Sequence, residues 1–175
     1  MNATLIPAAL ALACAGIACT PDLNWREVRP EGTGLAVLLP CRPAGHARQL
    51  NLAGIAVEMS LFACTAGGAT YAVGSADVGY PHLVGRALEE LATAAARNIT
   101  AAGPQSVASV NVSGMTPQPR AARWALAGQL SDGRRVQEHV AVFARGSRIY
   151  QATVVGTQID AEAVESFFGS LRLLP

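Results

Sequence analysis

Two tight chain reversals in the last third of the sequence constrain its fold most. Val136, Val140 and Val142 alternate with Arg135, Gln137 and His139, and Tyr150, Ala152 and Val154 alternate with Ile149, Gln151 and Thr153. A two-residue period of this kind is that of a strand with one better buried face. The segments RWALAGQL, RVQEHVAVFA and RIYQATVV are separated by Ser131, Asp132 and Gly133 and then by Arg145, Gly146 and Ser147. Asp-Gly is the strongest hairpin dipeptide, so these strands are expected to run antiparallel.

The first half carries the same signature. Residues 35–40, LAVLLP, read as a short dense strand ended by Pro40, and ARQLNL and IAVEMSLFAC form two more around Ala53 and Gly54. Ile55, Val57, Met59, Leu61 and Ala63 share one face, with Glu58 and Ser60 on the other. Residues 66–68, AGG, then reverse the chain into ATYAVGSADV, giving four early antiparallel strands.

From Pro81 the period changes. Val84, Leu88, Leu91 and Ala95 recur at three and four residues, while Arg86, Glu89, Glu90 and Arg97 fill the remaining arc. HLVGRALEELATAAARNI is therefore expected to be an amphipathic helix, with Pro81 in its first turn and Gly103-Pro104 beyond its end. VASVNV adds a strand before the hairpins, and DAEAVESFFGSLRL closes the chain as a short helix, with Asp160 as its cap, an apolar stripe of Val164, Phe167, Phe168 and Leu171, and Gly169 loosening its end. The fold class is α+β, an antiparallel sheet covered by one long helix and one short C-terminal helix.

The first nineteen residues hold no charged side chain and run apolar from Leu5 to Ala18, the pattern of a secretory leader. A run of this length is short of the about twenty residues a membrane-spanning helix needs. GIAC at residues 16–19 resembles a bacterial lipobox, with ALAC at 11–14 as a competing match, which makes Cys19 the expected lipidation site. An ordinary cleavage after Ala13 or Ala18 would instead leave a soluble periplasmic protein. The expected organisation is a leader over residues 1–19, a tether over 20–34 and a single domain over 35–175, with the membrane as partner through the N-terminal lipid and the domain facing the periplasm.

In an oxidising compartment Cys41 and Cys64 are the remaining pair, and a disulfide between them is the expected arrangement. Free structural thiols and a reactive thiol are the alternatives. His46 offers at most one more zinc ligand where three or four are required, and no motif supports a thiol activated by His46 or His139.

Charge is balanced, with thirteen basic and twelve acidic side chains, and every basic one is Arg. No basic stripe suited to a nucleic-acid backbone occurs, and without Lys there is neither Schiff-base nor phosphate-loop chemistry based on that residue. Asp77, Asp132 and Asp160 sit at expected turns or caps, where carboxylates serve the backbone. His82 falls in the first helical turn, and no glycine-rich phosphate loop or metal-ligand cluster is spaced along the chain, so neither a cofactor nor a metal is expected.

The order of strand block, helix, long antiparallel strands and terminal helix, with the segments at 35–43, 146–156 and 167–173, resembles the Mog1/PsbP-like family. Its members look like binding or assembly modules of larger machines with no common catalytic set, which implies a noncatalytic envelope module with a protein partner. Shared architecture alone does not transfer function.

Two polar groups are the candidate interaction surface. Arg120, Arg123 and Trp124 follow the proline-bearing loop MTPQP, and an Arg beside an exposed Trp is a common interface anchor; the competing arrangement turns Trp124 inward with Leu126. Arg135, Gln137 and His139 lie on one strand face and are expected either to line a groove or to be simply solvated. Two other functions stay open: a carrier of a small apolar ligand held between sheet and helices, for which Ala87, Ala92 and Ala95 leave room or else allow close packing, and an enzyme using His139.

Overall fold

The computed structural model describes residues 23–175. The expected leader and Cys19 lie outside these residues. Strands β3 (Ala44–Leu52), β4 (Ile55–Ala66) and β5 (Ala69–Asp77) form one antiparallel meander. A 3-10 turn at Pro81–Leu83 leads into helix α1 (Val84–Asn98), and β6 (Pro104–Ser109), β7 (Ala122–Gln129), β8 (Arg135–Arg145) and β9 (Arg148–Gly156) form a second meander. The two join where β9 pairs with β5, giving one seven-stranded antiparallel sheet in the order β3-β4-β5-β9-β8-β7-β6.

Residues 35–40 leave this sheet, contrary to the expectation of four consecutive strands. Strand β2 (Leu35–Leu39) pairs instead with β1 (Arg26–Val28) and with β10 (Arg172–Leu173) in a separate three-stranded sheet. The reason lies in its composition: Leu35, Ala36, Val37 and Leu39 are all buried, so the run has no polar edge to give to solvent. Strand β1 falls within the expected 20–34 tether, and Trp25 packs edge-on to Tyr71 at 5.8 Å. The folded unit therefore takes in residues before 35.

The closing helix also ends earlier than its sequence pattern suggests. Helix α2 spans Ala161–Gly169, with the Asp160 carboxylate accepting the Glu162 N–H at 3.0 Å. The Ser170 hydroxyl then donates to the Phe167 carbonyl at 2.7 Å and accepts the Leu38 N–H at 2.8 Å. That single hydroxyl ends the helix and docks it on β2, so Arg172 and Leu173 continue as strand.

Both faces of the large sheet are covered. Tyr71, Val73, Phe143, Tyr150 and Ala152 pack under β2 and α2, with Phe143 and Tyr150 stacked at 5.2 Å. Met59, Ala76, Val142, Ala144 and Ile149 pack under α1 on the opposite face. The alternation of β9 thus separates two buried layers and not a buried face from a wet one. The Cys41–Cys64 disulfide joins the segment after β2 to β4, pinning the small sheet onto the large one.

Helix α1 is held near its middle and at its far end. Near its middle, Glu90 accepts the Ala53 N–H at 2.7 Å, stabilising a two-residue hairpin turn in which Ala53 and Gly54 have φ of 53° and 83°. A turn with both central residues left-handed matches the twist of the strands it joins, at a conformational cost for Ala53. At its far end the carbonyl of Ile99 lies against Gly128, where an added Cβ would come within 1.9 Å of the oxygen. The chain leaves the helix through Thr100 at φ 48°, before reaching Gly103.

Candidate functional site

Between α1 and the β3, β4 and β9 part of the sheet lies a cleft of about 820 Å³. Ala87 and Ala95 are fully buried and seat the helix against the sheet, and the cleft opens beside this contact toward β3 and β4. Leu50, Leu52, Met59 and Leu61 wall one side, and Leu91 and Ile99 of the helix region wall the other. Small Ala94 and Thr93 leave the mouth open.

The floor is polar. Glu138, Gln151 and Thr153 line it, with the Gln151 amide donating to the Thr153 hydroxyl at 3.1 Å. Glu138 is 5% exposed. Among the described residues no group donates a hydrogen bond to its carboxyl or pairs with its charge, and burial alone pushes it up to about 7. A carboxyl that faces a cleft without a partner in the protein is left to a proton, to water or to a cationic or hydrogen-bonding ligand.

The other acids at the cleft are already committed. Glu90 accepts the Ala53 N–H and meets Arg86 at 2.9 Å, which hold its carboxyl below the usual range. Glu89 lies 3.5 Å from Arg120. Arg48 and Arg97, both exposed, stand at the rim.

The sequence carried a signal for Glu138 that alternation alone does not interpret. Val136, Val140 and Val142 are buried positions on one face of β8, and Glu138 is the even-numbered residue between them. A strand whose apolar face is interrupted by one carboxylate places that carboxylate inside the protein.

The six residues of the expected interaction surface divide between opposite faces of the sheet. Arg120 and Trp124 lie on the α1 side, where half-buried Trp124 packs against the core and lines a second groove of about 430 Å³ with Pro104, Val107 and Pro119. Arg123 points to the other face. Its guanidinium meets the Glu165 carboxylate of α2 at 3.2 and 2.7 Å and stands 4.2 Å from the centre of the Phe168 ring. His139, half-buried near this pair, is shifted below its ordinary value by burial and by the Arg123 charge. Arg135 and Gln137 are exposed and line a third, shallow hollow that does not include His139. Arg120, Arg123, Trp124, Arg135, Gln137 and His139 therefore do not make one patch, because successive side chains on β7 point to opposite faces.

His46 is exposed on β3 and His82 lies beside Tyr80. Among the described residues no three His, Cys, Asp or Glu side chains gather as a metal site, and no helix is long and apolar enough to cross a membrane. Comparison with protein-family models and with curated proteins finds no match to this chain.

Proposed function

We propose that this chain is a noncatalytic binding module of the bacterial cell envelope that carries a small, largely apolar ligand in the cleft beneath α1. The cleft is the observation that carries the reading: a concave, mostly apolar space with a few converging polar groups is the usual form of a small-ligand site. The Cys41–Cys64 bridge supports an oxidising compartment, and the apolar leader with Cys19 supports lipid anchoring to the membrane with the domain in the periplasm. The α+β architecture is in keeping with the resemblance to Mog1/PsbP-like modules, in which binding and not chemistry is the common activity. An assembly role with an envelope protein partner is the second reading, favoured by the separate groove at Trp124 and by exposed Val107 beside it.

Titration of the exported chain with the apolar fluorophore Nile red tests the carrier reading. Saturable one-site enhancement is expected, lost when Ala94→Trp fills the mouth of the cleft; unsaturable binding, or binding indifferent to that substitution, overturns it. Intact mass of the mature chain tests the anchor: an acylated N-terminal Cys19 is expected, and an unlipidated product beginning at Cys14, Ala15, Cys19 or Thr20 overturns it.

A further inference from the structure

We propose that the cleft beneath α1 is selective for a small amphiphilic monocation, an alkyl- or arylmethyl-ammonium whose N–H groups meet Glu138 and whose apolar part lies along Leu50, Met59, Leu61 and Leu91. The inference rests on the reading of the cleft as a ligand site and adds the chemical class of its ligand. Three observations converge on it. First, Glu138 is 5% exposed as a residue, and it lines the cleft floor with no protein partner for its carboxyl. Second, the remaining acids of the lining are occupied by Arg86, by the Ala53 N–H and by Arg120, so among the described acids of the lining Glu138 alone has no partner in the protein. Third, the walls next to it are apolar, which lowers the local dielectric and strengthens an ion pair made there relative to one made in water.

The charge balance selects among ligands. An ammonium group brings up to three donors to a carboxylate whose acceptor sites are unfilled, a charge-assisted contact of about twice the strength of a neutral one. A carboxylate ligand would place like charges together on the floor. A neutral alcohol would satisfy one acceptor and leave the charge uncompensated. Arg48 and Arg97 stand at the solvent rim, where water screens them, and do not reach Glu138.

The test compares three probes that share one apolar part: 2-naphthylmethylammonium, 2-naphthylmethanol and 2-naphthoate, titrated by fluorescence into the full exported chain at about pH 8, where carboxylate and ammonium are both charged. The ammonium is expected to bind at least about tenfold tighter than the alcohol, with the carboxylate weakest. Glu138→Gln keeps the shape and removes the charge, so it should erase the ammonium preference and leave alcohol binding within about twofold. If the alcohol binds as tightly as the ammonium and Ala94→Trp blocks both, the cleft is a ligand site without cation selectivity and this inference falls alone. If none of the three binds and Nile red fails as well, the carrier reading falls with it. Retention of the preference in Glu138→Gln also overturns the assignment of Glu138.

Discussion

Arg123 on β7 and Glu165 on α2 meet through both guanidinium nitrogens, at 3.2 and 2.7 Å, across 42 residues of sequence. The guanidinium also lies 4.2 Å from the Phe168 ring centre, so one side chain fixes the helix by charge and by stacking. An Arg used in this way is part of the fold, and only the exposed members of the nominated surface are left for a partner.

Because Glu165 is largely exposed, the pair is screened and its coupling is expected to be modest. A double-mutant cycle with Arg123→Ala and Glu165→Ala should give about 1 kcal/mol of coupling in urea unfolding at low salt. Arg123→Lys should recover little of it, because an ammonium cannot make the two-pronged contact or stack on Phe168. Full recovery by Lys would reduce the contact to simple charge attraction.

Gly128 determines where α1 ends. Adding a methyl group there sets a Cβ 1.9 Å from the Ile99 carbonyl oxygen and 2.9 Å from its carbon, both backbone atoms with no rotamer to yield. Gly128→Ala should therefore cost about 3 kcal/mol and shift amide resonances around Ile99 and along the cleft wall. A neutral effect on the unfolding midpoint would mean that the helix end is not seated on β7.

The disulfide is a covalent link between two layers otherwise joined by packing and by a few polar contacts, such as the Tyr150 hydroxyl donating to the Thr33 carbonyl at 2.9 Å. With a sequence separation of 23, its loss releases unfolded-chain entropy of about 3 kcal/mol. Cys41→Ala with Cys64→Ala should lower stability by about that amount and loosen β1 and β2 before the large sheet, which hydrogen exchange would report as early loss of protection in residues 26–39. Two thiols that alkylate in the native oxidised protein would rule the bridge out.

The elements were largely legible in the sequence and their layering was not. Strand alternation, Asp132 with Gly133, and the 84-88-91-95 stripe are local, and each is found where its pattern places it. The position of β2 is set by a nonlocal partner: the two-residue β10, read from the sequence as the end of the closing helix, becomes strand because Ser170 turns the chain onto Leu38. Similarly, Arg123 reads as a solvent-facing residue until α2 brings Glu165 to it. Glu138 was legible in principle, since its parity matches Val136 and Val140, but the cleft it faces is closed on one side by Leu91 and Ile99 of a helix region about forty residues away, which alternation along β8 does not reveal.

Glu138 and its neighbour His139 should pull stability in opposite directions with pH. Burial raises the Glu138 carboxyl from an ordinary value of 4.5 to about 7, so between these values the folded chain binds more protons than the unfolded one. Stability from this group is then present at acid pH and is lost as pH rises through about 7, by about 3 kcal/mol in total. For His139 the folded value is lowered, so the unfolded chain binds more protons and stability falls as pH drops through the ordinary histidine range. Urea unfolding of the chain and of Glu138→Gln from about pH 5 to pH 8 separates the two. The variant should gain stability relative to the parent as pH rises, leaving only the acid-side loss due to His139 and the surface carboxylates. A parent-minus-variant difference that stays flat across this range would show that Glu138 is solvated in solution, and would remove the reason for a cation on the cleft floor.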